Sequence, residues 1–329
     1  VSSSNDERRA PRTDDLRADL RPDWRFAPLR PWLERTYGRP LHRVALDAGS
    51  TCPNRDGTKG FGGCVYCDVE GSGTGALASG ASIAAQLEAG ITRVARRDPS
   101  DFGVIAYFQS YSNTYVAPER LDEVLASIEP RLTRPIDVVA LATRPDTLPD
   151  WALARLERLA RTVPVWLELG LECADDERLT AIGRHHTIAE FEDAVRRARS
   201  AGLLVVGHAI LGLPGDGREG ARRTAAVLAA SGCEGVKVHH LMVLRRTILE
   251  RWWKDGRVPL LDPTTYVDWL ADFVERLAPD QVLHRLTGDA PPTEQVAPLW
   301  KVHKSEIRER LRAELERRGT RQGARRSAT

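Results

Sequence analysis

Three of the chain's five cysteines stand close together, at Cys52, Cys64 and Cys67, with eleven residues between the first two and two between the last pair. A thiolate is a soft ligand. Three of them can hold three irons of a 4Fe-4S cube, which leaves the fourth iron without a protein ligand from this motif. An open iron is what a cofactor or substrate needs in order to coordinate metal directly. The same residues are also compatible with zinc, given a histidine as fourth ligand, and Cys64 with Cys67 alone would make a thioredoxin-like redox pair. The intervening loop is rich in glycine, which lets backbone wrap an inorganic core.

Such a loop needs a rigid element to carry it. Residues 43–47 read as a strand that runs straight into it, so the cysteines sit at a strand's carboxyl end, where barrels and open α/β sheets carry their sites. The glycine stretch 71–75 reads as a turn before the next helix. Further apolar runs at 103–109, 136–142, 163–172, 203–211 and 235–241 alternate with helical patterns at 82–96, 118–128, 148–159, 189–200 and 218–231. With a sixth helical pattern from Arg245 to Lys254, these six strand-and-helix units predict a partial (β/α)6 barrel of TIM type. Polar residues gather where the strands end: Gln109, Ser110 and Asn113 after the second, Arg144 and Asp146 after the third, Glu172 after the fourth. Arg144 can fork onto a ligand carboxylate or pair with Asp146 in a rigid turn. Glu168 lies inside an apolar strand, where a charge is costly unless paired or beside a ligand. Alternation puts Lys237 and His239 on one face of the sixth strand, toward the cavity.

Six separated blocks then carry a resemblance: residues 52–60 (CPNRDGTKG), 62–67 (GGCVYC), 106–115 (AYFQSYSNTY), 143–149 (TRPDTLP), 211–215 (LGLPG) and 285–289 (RLTGD). Together and in order they resemble a bacterial family of radical S-adenosylmethionine (radical SAM) proteins with a lengthened cluster motif. The likeness runs from about Trp32 to Leu315. The family is similar in its core to the catalytic subunit of elongator and its relatives, which modify wobble uridine in transfer RNA. The resemblance implies a 4Fe-4S cluster on Cys52, Cys64 and Cys67, with S-adenosylmethionine on the open iron through its amino and carboxylate groups. It implies cleavage of that cofactor to a 5′-deoxyadenosyl radical, which abstracts hydrogen from a substrate.

By the same resemblance Tyr66 lies over the cluster or beside the adenine. Gln109, Ser110 and Asn113 meet the cofactor's amino group, Glu168 its ribose or amino-acid end, and Arg184 its carboxylate. The turn at Gly212 and Pro214 lets backbone approach the adenine. Around Arg184 the chain departs from its relatives at Gly183 and His185 and matches them at His186 and Thr187. Glu172 stands where relatives carry glutamine, which suggests a changed substrate contact or a salt bridge. Arg144, Asp146, Glu172, Lys237 and His239 are the substrate-binding candidates. Cys173 reads as a buried structural cysteine, with a thiol or auxiliary-ligand role as the lesser reading. The implied substrate is a modified uridine of tRNA. A small metabolite or peptide, or a non-catalytic iron–sulfur sensor, are the alternatives. Radical chemistry of this kind draws its electron from a reducing partner such as flavodoxin or ferredoxin.

The bulk numbers fit. The chain has 329 residues, 42% hydrophobic, with 48 basic and 46 acidic side chains for a net charge of +2. That balance neither favours nor excludes nucleic acid, so local charge must decide. No apolar run approaches the roughly eighteen residues of a membrane span, the start is no signal peptide, and the cysteine pattern fits a reducing cytoplasm. Residues 1–23 read as a disordered arm, 24–244 as the barrel with its lead-in, 245–316 as a C-terminal extension of helices and a strand, and 317–329 as a disordered basic tail. Lys301, Lys304, Arg308 and that tail form the basic patch best suited to RNA, unless they only solvate a helix.

Overall fold

The structure, a computed structural model, describes residues 23–67 and 80–326. The arm up to residue 22 and the turn at 71–75 lie outside the described residues. Seven strands form one parallel sheet: β1 (Leu41–Leu46), β2 (Gly103–Phe108), β3 (Ile136–Thr143), β4 (Val165–Glu172), β5 (Leu204–Leu211), β6 (Gly235–His240) and, beside β6, β8 (Val282–Arg285). The sequence predicted six barrel strands and left 281–286 as a late strand of the extension; that strand joins the sheet in parallel. β6 is therefore no edge. The sheet is an open, curled partial barrel because β8 and β1 do not pair.

Helices α2 (Ile83–Arg97), α3 (Pro118–Ala126), α4 (Asp150–Ala160), α5 (Asp176–Ala181), α6 (Ile188–Ser200) and α7 (Gly217–Ser231) return the chain between strands. β2 and β4 are buried at every position, as parallel strands covered on both faces must be. Strand alternation sorts the side chains into two sets. Leu46, Phe108, Leu141, Leu167, Val205 and Val238 face the helices in one core. Ile105, Tyr107, Val138, Ala140, Trp166 and Leu204 face inward.

The inward set is plugged at its lower end by the lead-in helix α1 (Leu29–Tyr37). Its Trp32 ring lies 6.1 Å from that of Trp166, and each buried aromatic of this size contributes about 2–3 kcal/mol by area alone. Gly38 closes α1 in the left-handed conformation.

Beyond β6, the ribbon of β7 (Val243–Leu244) and β9 (Gln295–Ala297) and the helices α8 (Ile248–Lys254), α9 (Pro263–Val274) and α10 (Lys304–Arg317) complete the C-terminal domain. Residues 318–326 correct the expectation of a disordered tail. Gln322 is buried, accepts from Ala27 N at 3.0 Å and donates to Ala278 O at 2.6 Å. Arg318 and Arg325 bind Glu275, which has no exposed surface. Buried hydrogen bonds and ion pairs outweigh the polar composition that suggested disorder. Among the described residues no helix is long and apolar enough to cross a membrane.

Candidate active site

The eleven-residue spacer folds back on itself. Cys52 O accepts from Arg55 N at 2.8 Å, Lys59 N donates to Pro53 O at 2.8 Å, and Gly63 N donates to Asn54 O at 2.8 Å. The last of these bonds returns the chain to its starting point, so Cys64 re-enters beside Cys52. Gly63 has φ +85°, a region that favours glycine, and a Cβ there would stand 3.2 Å from Arg55. Val65 N donates to Ile182 O and Leu249 N to Val65 O, which tie the loop to the barrel and to α8. Side chains meet the sulfurs as well. Asn54 Nδ2 lies 3.4 Å from Cys64 Sγ and Arg55 Nη2 3.4 Å from Cys67 Sγ.

Cys52, Cys64 and Cys67 line one cavity at the carboxyl ends of the strands, with Tyr66, Gln109, Arg144, Glu168, Glu172, Arg184, Lys237 and His239. Among the described residues, no three cysteine, histidine or acidic side chains converge on one ion. Three soft thiolates on one cavity wall are a donor set that suits the three protein-held irons of a 4Fe-4S cube. The cavity wall also carries buried polar atoms without hydrogen-bond partners: Tyr66 OH, Ser112 Oγ, Arg144 Nη1, Glu168 Oε1 and Arg184 Nε. Buried polar atoms are nearly always bonded, so five carried by residues that line one cavity point to a polar ligand beside them. The donor set and these atoms together fit a cluster and a cofactor bearing amino, carboxylate and hydroxyl groups.

Below the mouth lies a polar layer. Glu168 Oε2 accepts from Tyr107 OH at 2.6 Å, from Lys237 Nζ, and from His208 Nε2 at 3.1 Å. Arg43 Nη2 stands 3.9 Å from the other carboxylate oxygen. Burial alone would push the Glu168 carboxyl up; Lys237, then His208 and Arg43, hold it well below the usual range. Burial pushes Lys237 down to about 7, against the pull of Glu168 and with help from Arg43 and Arg285. His239 is held well below its ordinary value by burial and Arg285, so it is neutral at pH 7.

The remaining candidates divide. Arg184 Nη2 donates to Gly170 O at 2.8 Å and stands 3.5 Å from Glu172, so the acid at 172 forms a salt bridge. A Cβ on Gly170 would meet both side chains, within 2.4 Å of Glu172 and 2.6 Å of Arg184. Arg144 forks onto Asp146 at 2.9 and 2.7 Å, the turn-stiffening alternative. Asp146 does not line the cavity. It faces an outer cleft with Lys59, 2.6 Å away. Burial works against its charge, but Arg144 and then Lys59 hold it at about 2.

Asn113 is occupied by backbone: its Nδ2 donates to Phe108 O, Ser110 O and Ala142 O. Ser110 is fully buried behind the wall, and Gly212 and Pro214 lie outside the cavity lining. Cys173 is buried and its thiol is pushed up to about 12 by burial, a protonated structural residue at neutral pH. Tyr107, Arg43 and Arg285 went unread in the sequence. The signal was there for Tyr107, two residues before Gln109 on the same strand face.

Comparison with known proteins follows the same lines. Residues 51–228 match the family model of the Radical SAM superfamily, and residues 233–317 that of the Radical_SAM C-terminal domain. The uncharacterized protein YtqA of Bacillus subtilis is 33% identical over 299 residues, 91% of this chain and 92% of that one. Protein YhcC of Escherichia coli is 34% identical over 273 residues, 82% of this chain and 85% of its own. A tRNA uridine(34) acetyltransferase of Dehalococcoides mccartyi is 29% identical over 156 residues, 46% of this chain but only 33% of that protein. The archaeal Methanocaldococcus infernus Elp3 shares the fold at a TM-score of 0.68 and 17% identity, over 86% of this chain and 64% of that one. A family match over more than half the chain, joined to a three-cysteine loop at the mouth of a partial barrel, places this protein in the radical SAM superfamily of enzymes.

Proposed function

We propose that the chain holds a 4Fe-4S cluster on Cys52, Cys64 and Cys67 and S-adenosylmethionine in the adjoining cavity, and acts on the side chain of a wobble uridine in tRNA. The observation that carries the chemistry is the meeting, in one cavity, of the three cysteines with five unpartnered buried polar atoms. When bound, the cluster and cofactor supply a 5′-deoxyadenosyl radical for hydrogen abstraction. The chain's own residues do the rest. Asn54 and Arg55 orient the sulfurs of Cys64 and Cys67. Arg184, fixed by Glu172 and Gly170, keeps Nε free for a carboxylate. Glu168 Oε1, with Arg43 3.9 Å away, and the Tyr66 hydroxyl have no hydrogen-bond partner among the described residues and are assigned to the cofactor's amino or hydroxyl groups. Lys237, His239 and Arg285 line the same cavity and are the side chains assigned to substrate. The RNA assignment is supported by the likeness to the uridine(34) acetyltransferase and by the fold shared with Elp3.

The test is an anaerobic assay on reconstituted protein with dithionite and S-adenosylmethionine, following 5′-deoxyadenosine. About four irons per chain are expected, as for one cube, with cleavage abolished by changing Cys52, Cys64 and Cys67 to Ala. Stimulation by bulk tRNA, with deuterium from labelled tRNA appearing in the product, is the expected sign of the substrate. Iron without cleavage, with or without tRNA, would make the chain a non-catalytic iron–sulfur protein.

A further inference from the structure

The patch that the sequence assigned to RNA, Lys301, Lys304, Arg308 and the tail, is largely offset: Lys304 stands 3.5 Å from Asp289 and Arg308 3.5 Å from Glu309, and the helix 304–317 carries four acids against five cations. Arg310 pairs with Glu306, Arg312 with Glu309 and Glu316, and Arg317 with Glu314. Arg318 and Arg325, from the expected tail, are spent on Asp272 and Glu275. An unbalanced basic surface lies elsewhere, between β7 and the end of α8.

Residues 245–257 carry five cations, Arg245, Arg246, Arg251, Lys254 and Arg257, against two acids, Glu250 and Asp255. The local excess of three exceeds the +2 of the whole chain. Glu294 stands 3.7 Å from Arg246 and Glu250 2.8 Å from Lys254, so the excess is carried chiefly by Arg245, Arg251 and Arg257. All five cations are exposed. Arg245 Nε donates to the Thr293 carbonyl at 2.8 Å. Arg251 and Lys254 are three apart on α8 and share its outer face, while Leu249 on the inner face is fully buried. Aromatics interleave: Trp252 and Trp253 are half-buried, and the Arg257 guanidinium lies 4.9 Å from the Trp252 ring centroid. Arg246 has φ +63°, an unfavourable conformation for an arginine, fixed by a bond from its N to Glu250 at 2.7 Å.

This surface borders the active site. Leu241, Met242 and Leu244 line the cavity, and Arg245 is the next residue. On α8, Leu249 N donates to Val65 O, between two of the cysteines.

We propose that the rim formed by residues 245–257 is the docking surface for the sugar–phosphate backbone of a structured RNA whose modified nucleoside enters the cavity beside it. The proposal rests on the tRNA reading above and assigns its binding surface. Clustered Arg and Lys neutralise phosphates, and Trp and Arg planes accept unstacked bases of single-stranded loops. A rim one residue from the cavity wall lets the backbone be held while one nucleoside turns inward.

The test compares tRNA binding by full-length reconstituted protein carrying R246E/R251E/K254E with the wild type and with K301E/K304E/R308E on the α10 side, across a salt series. The rim variant should bind at least about tenfold more weakly, and its log affinity against log salt should be flatter by about 2–3, one unit per lost phosphate contact. The α10-side variant should keep most of both. R246Q/R251Q/K254Q, which removes charge without adding repulsion to α8, should show the same ordering, and an unchanged melting temperature would show an intact fold. Rim variants that bind tRNA like the wild type would overturn the proposal and leave the tRNA reading standing. No tRNA binding by the wild type would remove both. Unchanged tRNA binding with slowed reduction by flavodoxin would assign the rim to an acidic electron donor instead.

Discussion

Glu168 and Lys237 occupy the middle of the barrel, and two roles for Glu168 make different demands. As an ion pair it holds β4 to β6 through β5; as a ligand contact it would offer Oε1, which has no hydrogen-bond partner among the described residues. Truncating one member of a buried pair strands the other. Glu168→Ala should therefore destabilise the protein by about 3–5 kcal/mol in urea titration. The double change E168M/K237M removes both charges and should recover most of that loss. Equilibrium dialysis of S-adenosylmethionine on the double variant separates the roles. Binding weakened at least about tenfold, or 1.4 kcal/mol, would make Glu168 a cofactor contact; wild-type affinity would make it a structural pair alone.

At the scale of elements, α2 and β1 together aim the cysteine loop. Gln86 on α2 accepts from Asp47 N at 2.8 Å and donates to Asp47 O at 3.1 Å, where β1 gives way to that loop. The helix comes this close because Gly90 faces Val44; a Cβ at 90 would lie 2.2 Å from Val44 Cγ1. Alanine is favoured over glycine in a helix by about 1 kcal/mol, but the overlap with β1 should reverse the sign. Gly90→Ala is expected to lower stability by about 1–3 kcal/mol and to reduce iron retained after reconstitution. Adding Val44→Ala should restore both, as read by thermal melting and metal analysis. Stability raised by Gly90→Ala alone would show that the helix shifts freely and does not aim the loop.

Across the whole molecule, the C-terminal residues close a circuit. Arg318 binds Asp268, Asp272 and Glu275 on and after α9, and Gln322 bonds Ala27 beside the α1 plug. The plug in turn packs under the polar layer through Trp32 and Trp166. A chain ending at Arg317 would leave Glu275 buried and unpaired and Ala27 N without its acceptor. The expected loss is at least about 3 kcal/mol in denaturant titration. An unchanged midpoint would show residues 318–326 to be an ornament on a self-sufficient barrel.

The sequence by itself determined the cluster loop, the alternating strands and helices, and the inward pair Lys237 and His239. These depend on local spacing and on the two-residue period of a strand, which any stretch of chain carries within itself. It also exposed Glu168 as a charge needing a partner, without naming Lys237, 69 positions away. Tertiary structure decided the rest. It folded the long cysteine spacer back on Asn54, turned Asp146 out of the cavity, gave Asn113 to the backbone, and moved β8 into the sheet. It also cancelled one basic run with interleaved acids while leaving another exposed beside the cavity mouth. Each of these outcomes is a choice among partners distant in sequence. Such a choice is made by packing and desolvation in three dimensions, and a linear pattern does not encode it in any one segment.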